Sequence, residues 1–307
     1  MLELDAEISA ALTGLPFGTI GPESLAEMRA LSFVPLAPLS DDVERTDHVV
    51  PGDPDVVVRV HRPRGVDGPL PCVYSIHGGG YIIGSYAMDD PRFDLWCPRF
   101  GCVGVSVEYR LSPETPYPGP LDDCYLGLTW VHDHHQELGV DPDRIGIAGV
   151  SAGGGLAAAL ALLARDRGEV AVQFQLLDCP MLDDRQATPS SQLDGLQIWT
   201  RESNTFGWRS YLGERYGTDD VPAYAAAARA EDLAGLPPAY VCVGAVDGFR
   251  DEDITYAMRL NQAGVPAELH VFSGAPHGVA MFTESAVARR YSRTLDDWIS
   301  RQLGAEA

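Results

Sequence analysis

Ser151 has the sequence surroundings of a catalytic nucleophile. It lies in the pentapeptide GVSAG at 149–153, after a strand-like run at 144–148 and before an alanine-rich helical run at 156–164. Small residues two positions to either side of a serine, between a strand and a helix, predict a sharp turn that exposes the hydroxyl at the end of a sheet. A G-x-S-x-G match alone is weak, because turns use glycine and serine often.

A second motif, the glycine-rich loop HGGG at 77–80, directly follows the apolar run 72–76. The backbone N–H groups of such a loop are free to point at a developing negative charge. A flexible glycine turn explains the loop alone equally well. Together with the turn around Ser151, the loop predicts an oxyanion hole, completed by the N–H of the residue after the nucleophile.

A serine hydroxyl needs a base, and the base needs a group that orients it. In hydrolases with this serine turn, the acid follows the serine in the chain and the histidine follows the acid. Only His270 and His277 follow Ser151. His270 lies in the alternating run 267–272, which is typical of a strand. His277 lies in the loop 273–278, which is rich in glycine, so we predict that His277 is the base.

Several carboxylates could orient this histidine. Asp247 is favoured because it ends the apolar run 239–246 and is followed by Gly248. The next carboxylates remain alternatives, but they resemble the first turn of a helix, where negative charge suits the helix dipole: Asp251, Glu252 and Asp253.

These motifs give the chain a family resemblance. From about residue 50 to the end it resembles the hormone-sensitive-lipase-like branch (family IV) of bacterial carboxylesterases. The motifs that carry the resemblance are HGGGY at 77–81, YRLSPE at 109–114, GVSAGG at 149–154, LPPA at 236–239, DGFRDE at 247–252, GVP at 264–266 and HG at 277–278.

The resemblance implies roles for particular residues. It implies a catalytic triad of Ser151, Asp247 and His277, with the amides of Gly79, Gly80 and Ala152 as oxyanion donors and Gly78 serving the turn. The chain departs from the family at Val150, where Asp or Thr is usual, and at Phe249, where leucine is usual. We expect the first change to alter neighbouring hydrogen bonds without loss of activity, and the second to be a change in packing.

Apolar periodicity predicts elements that could position these residues. The predicted strands are about 55–61, 71–76, 102–108, 144–149, 171–178, 239–245 and 267–273. The predicted helices are about 91–99, 119–134, 152–166, 251–263 and 284–302. Their alternation predicts an α/β fold with a mostly parallel sheet and helices on both faces. Ligands bind such sheets at the carboxyl ends of the strands, where the candidate residues fall.

Two segments interrupt this alternation. In the resembling family, two such segments form a helical cap. We therefore predict an N-terminal cap segment at 1–45, broken by Gly14, Pro16, Gly18, Pro22, Pro35 and Pro38, and a cap insertion at 184–222. The α/β-hydrolase core then comprises 46–183 and 223–307.

Aromatic residues near these segments could line an ester pocket, which must be apolar and shielded from water. We predict this role for Tyr81, Trp199, Phe206 and Trp208. The alternative is that these side chains pack the insertion onto the core.

Composition narrows the possible partners. The 307 residues are 45% hydrophobic, and 44 acids against 22 bases give a net charge of -22. This charge argues against nucleic acid, anionic membranes and polyanionic substrates. Every base is an arginine, which excludes a lysine Schiff base, a Walker-type lysine and a Ser-x-x-Lys nucleophile.

No cofactor or metal is expected. The six cysteines show no metal-binding spacing and are expected to be buried free thiols. The cluster at 132–135 holds three histidines, but it falls near a predicted helix end, where imidazoles suit the dipole.

The N-terminus lacks a basic segment, and the longest apolar run, 156–164, is too short to span a bilayer. We therefore expect a cytoplasmic protein without membrane insertion.

The predicted function is that of a serine carboxylesterase acting on short- to medium-chain acyl esters through an acyl-enzyme. The preference for shorter chains, and a possible homodimer, are implied by the family resemblance. Hydrolysis of an amide, lactone, carbamate or aryl formamide by the same triad remains an alternative. A ligand receptor without catalysis is a further alternative, although such proteins tend to lose a member of the triad.

Overall fold

A computed structural model describes residues 3–13, 18–31 and 38–305 of the chain. Its centre is an eight-stranded sheet with the strands β1 (Val43–Val50), β2 (Val56–Pro63), β3 (Leu70–Ile76), β4 (Val103–Glu108), β5 (Val140–Val150), β6 (Val172–Asp178), β7 (Ala239–Val246) and β8 (Ala267–Pro276). The spatial order is β1-β2-β4-β3-β5-β6-β7-β8. Strands β3 to β8 run parallel, whereas β2 pairs antiparallel with both β1 and β4.

Helices cover the sheet. They are α1 (Ala6–Leu12), α2 (Leu25–Ala30), α3 (Asp90–Phe100), α4 (Gly119–Asp133), α5 (His135–Leu138), α6 (Ala152–Arg167), α7 (Arg201–Leu212), α8 (Arg250–Gln262) and α9 (Ala286–Leu303). None of the helices in the described ranges is both long and apolar enough to cross a membrane.

The central strand β5 and the helix α6 that follows it form the most buried part of the fold. Ile145 and Ile147 of β5 are fully buried, as expected for a parallel strand covered on both faces. Along α6 the residues from Ala152 to Ala164 are buried. Because this part of α6 is buried on all sides, it has no polar face, and its sequence is a continuous apolar run.

The predicted α/β-hydrolase fold, with its mostly parallel sheet, is confirmed. Each predicted strand and helix is present, with ends that differ by a few residues. The sequence did not predict β1, which begins within the segment assigned to the N-terminal cap. Helix α7 lies within 184–222, and α1 and α2 are short helices within 1–45. Gly14, Pro16 and Pro35 lie outside the described residues.

Candidate active site

Three loops bring the candidate residues together at one edge of the sheet. Ser151 directly follows β5, Asp247 follows β7 and His277 follows β8. Strands β5, β6, β7 and β8 are successive parallel neighbours, so their carboxyl ends meet at the same edge. The fold therefore places side chains that are far apart in the sequence within reach of one another.

The turn at Ser151 holds this residue in a backbone conformation that L-residues rarely adopt, with φ of 56°. Hydrogen bonds fix the residue on both sides. Its N–H donates to the carbonyl of Asp178 at 2.8 Å, and its carbonyl accepts from the amides of Gly155 at 3.0 Å and Met181 at 2.9 Å. Strained residues held by such surroundings are typical of functional sites.

The turn also needs glycine on either side of the serine. A Cβ on Gly149 would lie 2.1 Å from the carbonyl oxygen of Gly153, and one on Gly153 would lie 2.0 Å from that of Ile76. The small residues of the GVSAG motif therefore allow strand β5, helix α6 and strand β3 to approach closely around Ser151.

A continuous chain of hydrogen bonds joins Ser151, His277 and Asp247. His277 Nε2 lies 2.9 Å from Ser151 Oγ, and His277 Nδ1 lies 2.8 Å from Asp247 Oδ2. Because a carboxylate can only accept, Nδ1 carries the proton and Nε2 is free to accept one from the serine. The second oxygen of Asp247 accepts from the amide of Phe249 at 3.0 Å.

The surroundings of His277 favour a strong base. Burial alone would lower the pKa of His277, but the charge of Asp247 and its hydrogen bond outweigh burial and raise that pKa above the ordinary 6.5. The ring of Phe249 contacts the imidazole edge-on, with centroids 5.2 Å apart. Phe249 therefore packs against the proposed base while its amide holds the carboxylate.

The glycine loop has the backbone geometry of an anion-binding site. Gly79 and Gly80 adopt φ of 114° and 60°, which side chains disfavour. The carbonyl of Gly79 accepts from the amides of Ile82 and Ile83, each at 3.0 Å. Within residues 38–305, the amide N–H groups of Gly79 and Gly80 donate to no protein group. Both donors, and that of Ala152 at the start of α6, are thus available to a ligand.

His77 contacts the glycine loop as a neutral side chain. Its ring stacks on Tyr109 with centroids 4.2 Å apart, and its Nδ1 lies 2.8 Å from the carbonyl oxygen of Gly78. Burial lowers the pKa of His77 to about 4, although the contact with Gly78 opposes this shift. An uncharged donor therefore orients the peptide next to the free amides.

Ser151 and His277 open onto a cavity of about 320 Å³. Gly78 and Gly79 form part of its wall. The apolar wall comprises Ile20, Met28, Ile83, Met88, Val150, Ile198, Trp199, Val279 and Met281, and a polar end comprises Asp89, Arg92, Asp178 and Tyr291. Val150, the departure from the family pattern, therefore presents an apolar surface where a polar side chain is usual.

The four aromatic residues predicted for this pocket occupy different places. Trp199 lines the cavity. Tyr81 and Trp208 are fully buried and pack against each other and against Tyr211. Phe206 lies in a separate groove beside Thr19–Pro22 and Arg209. The structure therefore brings only Trp199 of the four to Ser151. Tyr81 and Trp208 match the alternative, since their contact joins the insertion to the core, whereas Phe206 lies beside the N-terminal residues.

The other residues considered as site candidates are the histidine cluster at 132–135, the carboxylates of 251–253 and the cysteines. The rings of His134 and His135 each face a backbone carbonyl of their own helical region, at 2.9 and 2.8 Å. Asp251, Glu252 and Asp253 lie in the first turn of α8, as expected. Each of the six cysteines is free and buried.

Sequence reasoning missed several residues near the site. The methionines and isoleucines of the cavity wall carry no sequence signal, because apolar residues of the core look the same. Cys179 could have been found: it follows β6 and therefore lies at the same sheet edge as Asp247 and His277. The sulfur of Cys179 lies beside both of these residues.

Comparisons with known proteins identify the family of this chain. Residues 73–281 match the model of a family described as having the alpha/beta hydrolase fold. The chain is 34% identical over 281 residues to the esterase LipI of Mycobacterium tuberculosis, which covers 90% of this chain and 87% of that protein. It is 38% identical to the carboxylesterase NlhH of the same organism over 231 residues, 74% of this chain and 72% of that protein.

The chain is also similar to solved structures of esterases. A structure titled bacterial heroin esterase is 42% identical, with a TM-score of 0.91 over 98% of both chains. The esterase LipW from Mycobacterium marinum is 32% identical, with a TM-score of 0.84 over 98% of both chains. The chain therefore belongs to the α/β-hydrolase family, in its hormone-sensitive-lipase-like branch, and is a carboxylic ester hydrolase.

Proposed function

We propose that the protein is a serine carboxylesterase that hydrolyses short- to medium-chain acyl esters through an acyl-enzyme on Ser151. The observation that supports this proposal is the hydrogen-bonded chain from Ser151 through His277 to Asp247, with its serine end open to an apolar cavity. An ester carbonyl in that cavity would meet the nucleophile on one side and the glycine amides on the other.

In the acylation step, Ser151 Oγ attacks the carbonyl carbon while His277 Nε2 takes the hydroxyl proton. Asp247 holds the proton on Nδ1 and stabilises the imidazolium, without itself becoming protonated. The negative charge moves to the carbonyl oxygen, which the amides of Gly79, Gly80 and Ala152 bind. Loss of one such donor typically lowers the rate about 100- to 1,000-fold. His277 then protonates the leaving alcohol, and the acyl group stays on Ser151.

Deacylation repeats the sequence with water. His277 Nε2 removes a proton from water, the resulting hydroxide attacks the acyl carbon, and the same amides bind the oxyanion. Collapse of the tetrahedral intermediate returns the proton to Ser151 Oγ and releases the carboxylic acid. Each step uses only groups of the chain, the substrate and water.

The cavity supports the expected preference for shorter acyl chains. Its volume of about 320 Å³ lies at the small end of the usual range for ligand pockets, roughly 300–1,000 Å³. The bulky side chains of Ile198, Trp199 and Met281 in its wall limit the room for a long alkyl chain. The similarity to a structure titled heroin esterase supports the same size class, since heroin carries acetyl esters.

Hydrolysis of p-nitrophenyl esters from acetate to palmitate tests the proposal, with wild type beside Ser151→Ala. We expect the highest kcat/KM at short chains and loss of activity in Ser151→Ala. A short pulse of substrate followed by mass spectrometry should show the acyl adduct on the wild-type protein only. Activity in Ser151→Ala equal to wild type would contradict the proposed nucleophile.

The same assay separates the alternative substrates. A p-nitroanilide with the best acyl group should react much more slowly than the matching ester. A kcat/KM for the anilide equal to or above that of the ester would favour an amide hydrolase with the same residues.

A further inference from the structure

Cys179 shares the sheet edge of the proposed triad but has no part in the chemistry described above. It directly follows β6, the strand between β5 and β7. Its backbone has φ of 41°, in the left-handed region, and its amide donates to the carbonyl of Cys242 at 2.7 Å. This conformation fixes where the thiol side chain leaves the backbone, which is beside Asp247 and His277.

The three side chains present a set of ligand atoms suited to a metal ion. One atom each from Cys179, Asp247 and His277 lie within 4.8 Å of one another. Thiolate sulfur, imidazole nitrogen and carboxylate oxygen are the ligands that Zn²⁺ takes, at about 2.3, 2.0 and 2.0 Å. Tetrahedral ligands at such lengths lie roughly 3.3–3.6 Å apart. The contact of 2.8 Å between His277 Nδ1 and Asp247 Oδ2 must therefore open by about half an ångström.

We propose that Cys179, Asp247 and His277 form an inhibitory site for a thiophilic divalent cation such as Zn²⁺ or Cd²⁺. The inhibition rests on the proposed function, whereas binding of the ion does not. The ion replaces the proton between His277 Nδ1 and Asp247, so that Nδ1, Oδ and the sulfur become its ligands. The displaced imidazole proton moves to Nε2, and the thiol proton is released to solvent.

The tautomer explains why the bound ion blocks catalysis. With Nδ1 on the ion and a proton on Nε2, His277 cannot accept the proton of Ser151. His277 lines the cavity, whereas Cys179 and Asp247 are buried and do not, so access of an ion to them is restricted. We therefore expect inhibition to develop over time and to be reversed by a chelator.

Cadmium binding tests the site without reference to activity. Thiolate bound to Cd²⁺ gives a charge-transfer absorption in the ultraviolet, which we would titrate in metal-free full-length protein. Ser151→Ala keeps the three ligands and should show the band. Cys179→Ala should lose it, and the more conservative Cys179→Ser should lose it as well. Cys124→Ser, a change of a buried cysteine in α4, should keep it. An unchanged band in both Cys179 variants would overturn the proposal.

Esterase assays after incubation with Zn²⁺ test the inhibition. Loss of Cys179 should raise the half-inhibitory Zn²⁺ concentration at least tenfold, since even an outer-shell partner is worth about 10- to 100-fold in metal affinity. Cys124→Ser should respond as wild type does. Equal inhibition of wild type and Cys179→Ala would overturn the proposed site. A wild type without esterase activity would contradict the proposed function, while the cadmium titration would still decide the site.

Discussion

At the scale of single residues, the proposed chemistry depends on His277 being neutral, with its proton on Nδ1. Asp247 enforces this tautomer by accepting from Nδ1 at 2.8 Å. The same carboxylate stabilises the charged imidazolium and, against the effect of burial, raises the pKa of His277 above 6.5. Asp247 therefore determines both the orientation and the basicity of His277.

This pKa determines the acid side of the pH profile. A raised pKa means that the imidazolium persists to higher pH, and only the neutral form can accept the proton of Ser151. We therefore expect kcat/KM to fall as pH drops through a midpoint above 6.5. Initial rates with p-nitrophenyl acetate across this range would measure it, with circular dichroism at each pH as the control for folding. A flat profile down to pH of about 4 would contradict a histidine base.

Gly80 gives a second prediction at this scale. A Cβ at Gly80 would lie 2.1 Å from the ring of Trp199, so Gly80→Ala must displace either the tryptophan or the loop that carries a proposed oxyanion donor. We expect kcat to fall on the order of 100-fold, as for loss of one such donor.

Gly101→Ala is the matched control for Gly80→Ala. Gly101 also has φ of 60°, but nothing lies within 4 Å of its Cβ position. Both variants should lose roughly 1–2 kcal/mol of stability from the left-handed backbone, measured by urea denaturation. A similar fall in kcat in both would show that strain, not the contact with Trp199, is responsible.

The sequence predicted the grouping of Ser151, Asp247 and His277 because each follows a strand of the parallel sheet. Strands β5 and β7 end in apolar runs, whereas the edge strand β8 is recognisable from its alternating pattern. The prediction of the aromatic residues that line the pocket depended on the direction in which each side chain points, and the sequence pattern does not indicate that direction. Tyr81 is buried by stacking on Tyr211, and Trp208 packs at a tilt against both of these rings. A tryptophan that faces a cavity and one that faces the core have the same sequence pattern.

At the scale of elements, helix α2 borders the cavity. Its Leu25 is buried in the core, and its Arg29 forms polar bonds to the core. Arg29 donates to the carbonyl of Ile82 at 2.8 Å and to that of Ser112 at 2.7 Å, and it pairs with Glu114 at 2.8 Å. Met28, the residue before it, lines the cavity. The position of this wall therefore depends on the contacts of Arg29.

Replacing Arg29 should loosen the wall without touching the proposed chemistry. For Arg29→Ala we expect a higher KM for p-nitrophenyl acetate and a larger ratio of octanoate to acetate hydrolysis, with a smaller change in kcat. Glu114→Gln is the control, because it removes only the ion pair at an exposed carboxylate, which is worth about 0–1 kcal/mol. An equal effect of both variants would mean that the ion pair, and not the bonds to the core carbonyls, holds α2.

The elements that the sequence missed are those with a weak apolar pattern. Strand β1 (VERTDHVV) has buried residues only at its ends, because it lies at the edge of the sheet. Helix α7 (RESNTFGWRSYL) contains polar residues such as Ser203 and Asn204 that are nevertheless buried. Periodicity identifies an element by its apolar face, so elements that bury polar groups escape it.

At the scale of the whole molecule, the net charge of -22 should influence which esters reach the cavity. An anionic ester is repelled at low ionic strength, and salt screens this repulsion as the Debye length falls from about 30 Å at 0.01 M to about 8 Å at 0.15 M. The cytoplasmic location and the homodimer expected from the sequence stay predictions at this scale.

A pair of matched substrates measures this effect. The kcat/KM for p-nitrophenyl hemisuccinate should rise with added sodium chloride, whereas that for p-nitrophenyl butyrate should stay nearly constant. A parallel change for both esters would indicate an effect of salt on the protein itself. A fall for the anionic ester would indicate that local positive charge, such as Arg92 at the polar end of the cavity, dominates the approach.

The placement of Ser151, Asp247 and His277 on the sheet, with α7 and Trp199 on an insertion between β6 and β7, has an evolutionary consequence. The insertion can change in length, composition or ancestry while the strand ends that carry the proposed reaction remain as they are. New substrate ranges can therefore arise by duplication and divergence of this segment alone. In protein engineering, exchanging the predicted cap insertion at 184–222 between relatives should alter the cavity wall at Ile198 and Trp199 and leave the three strand ends unchanged.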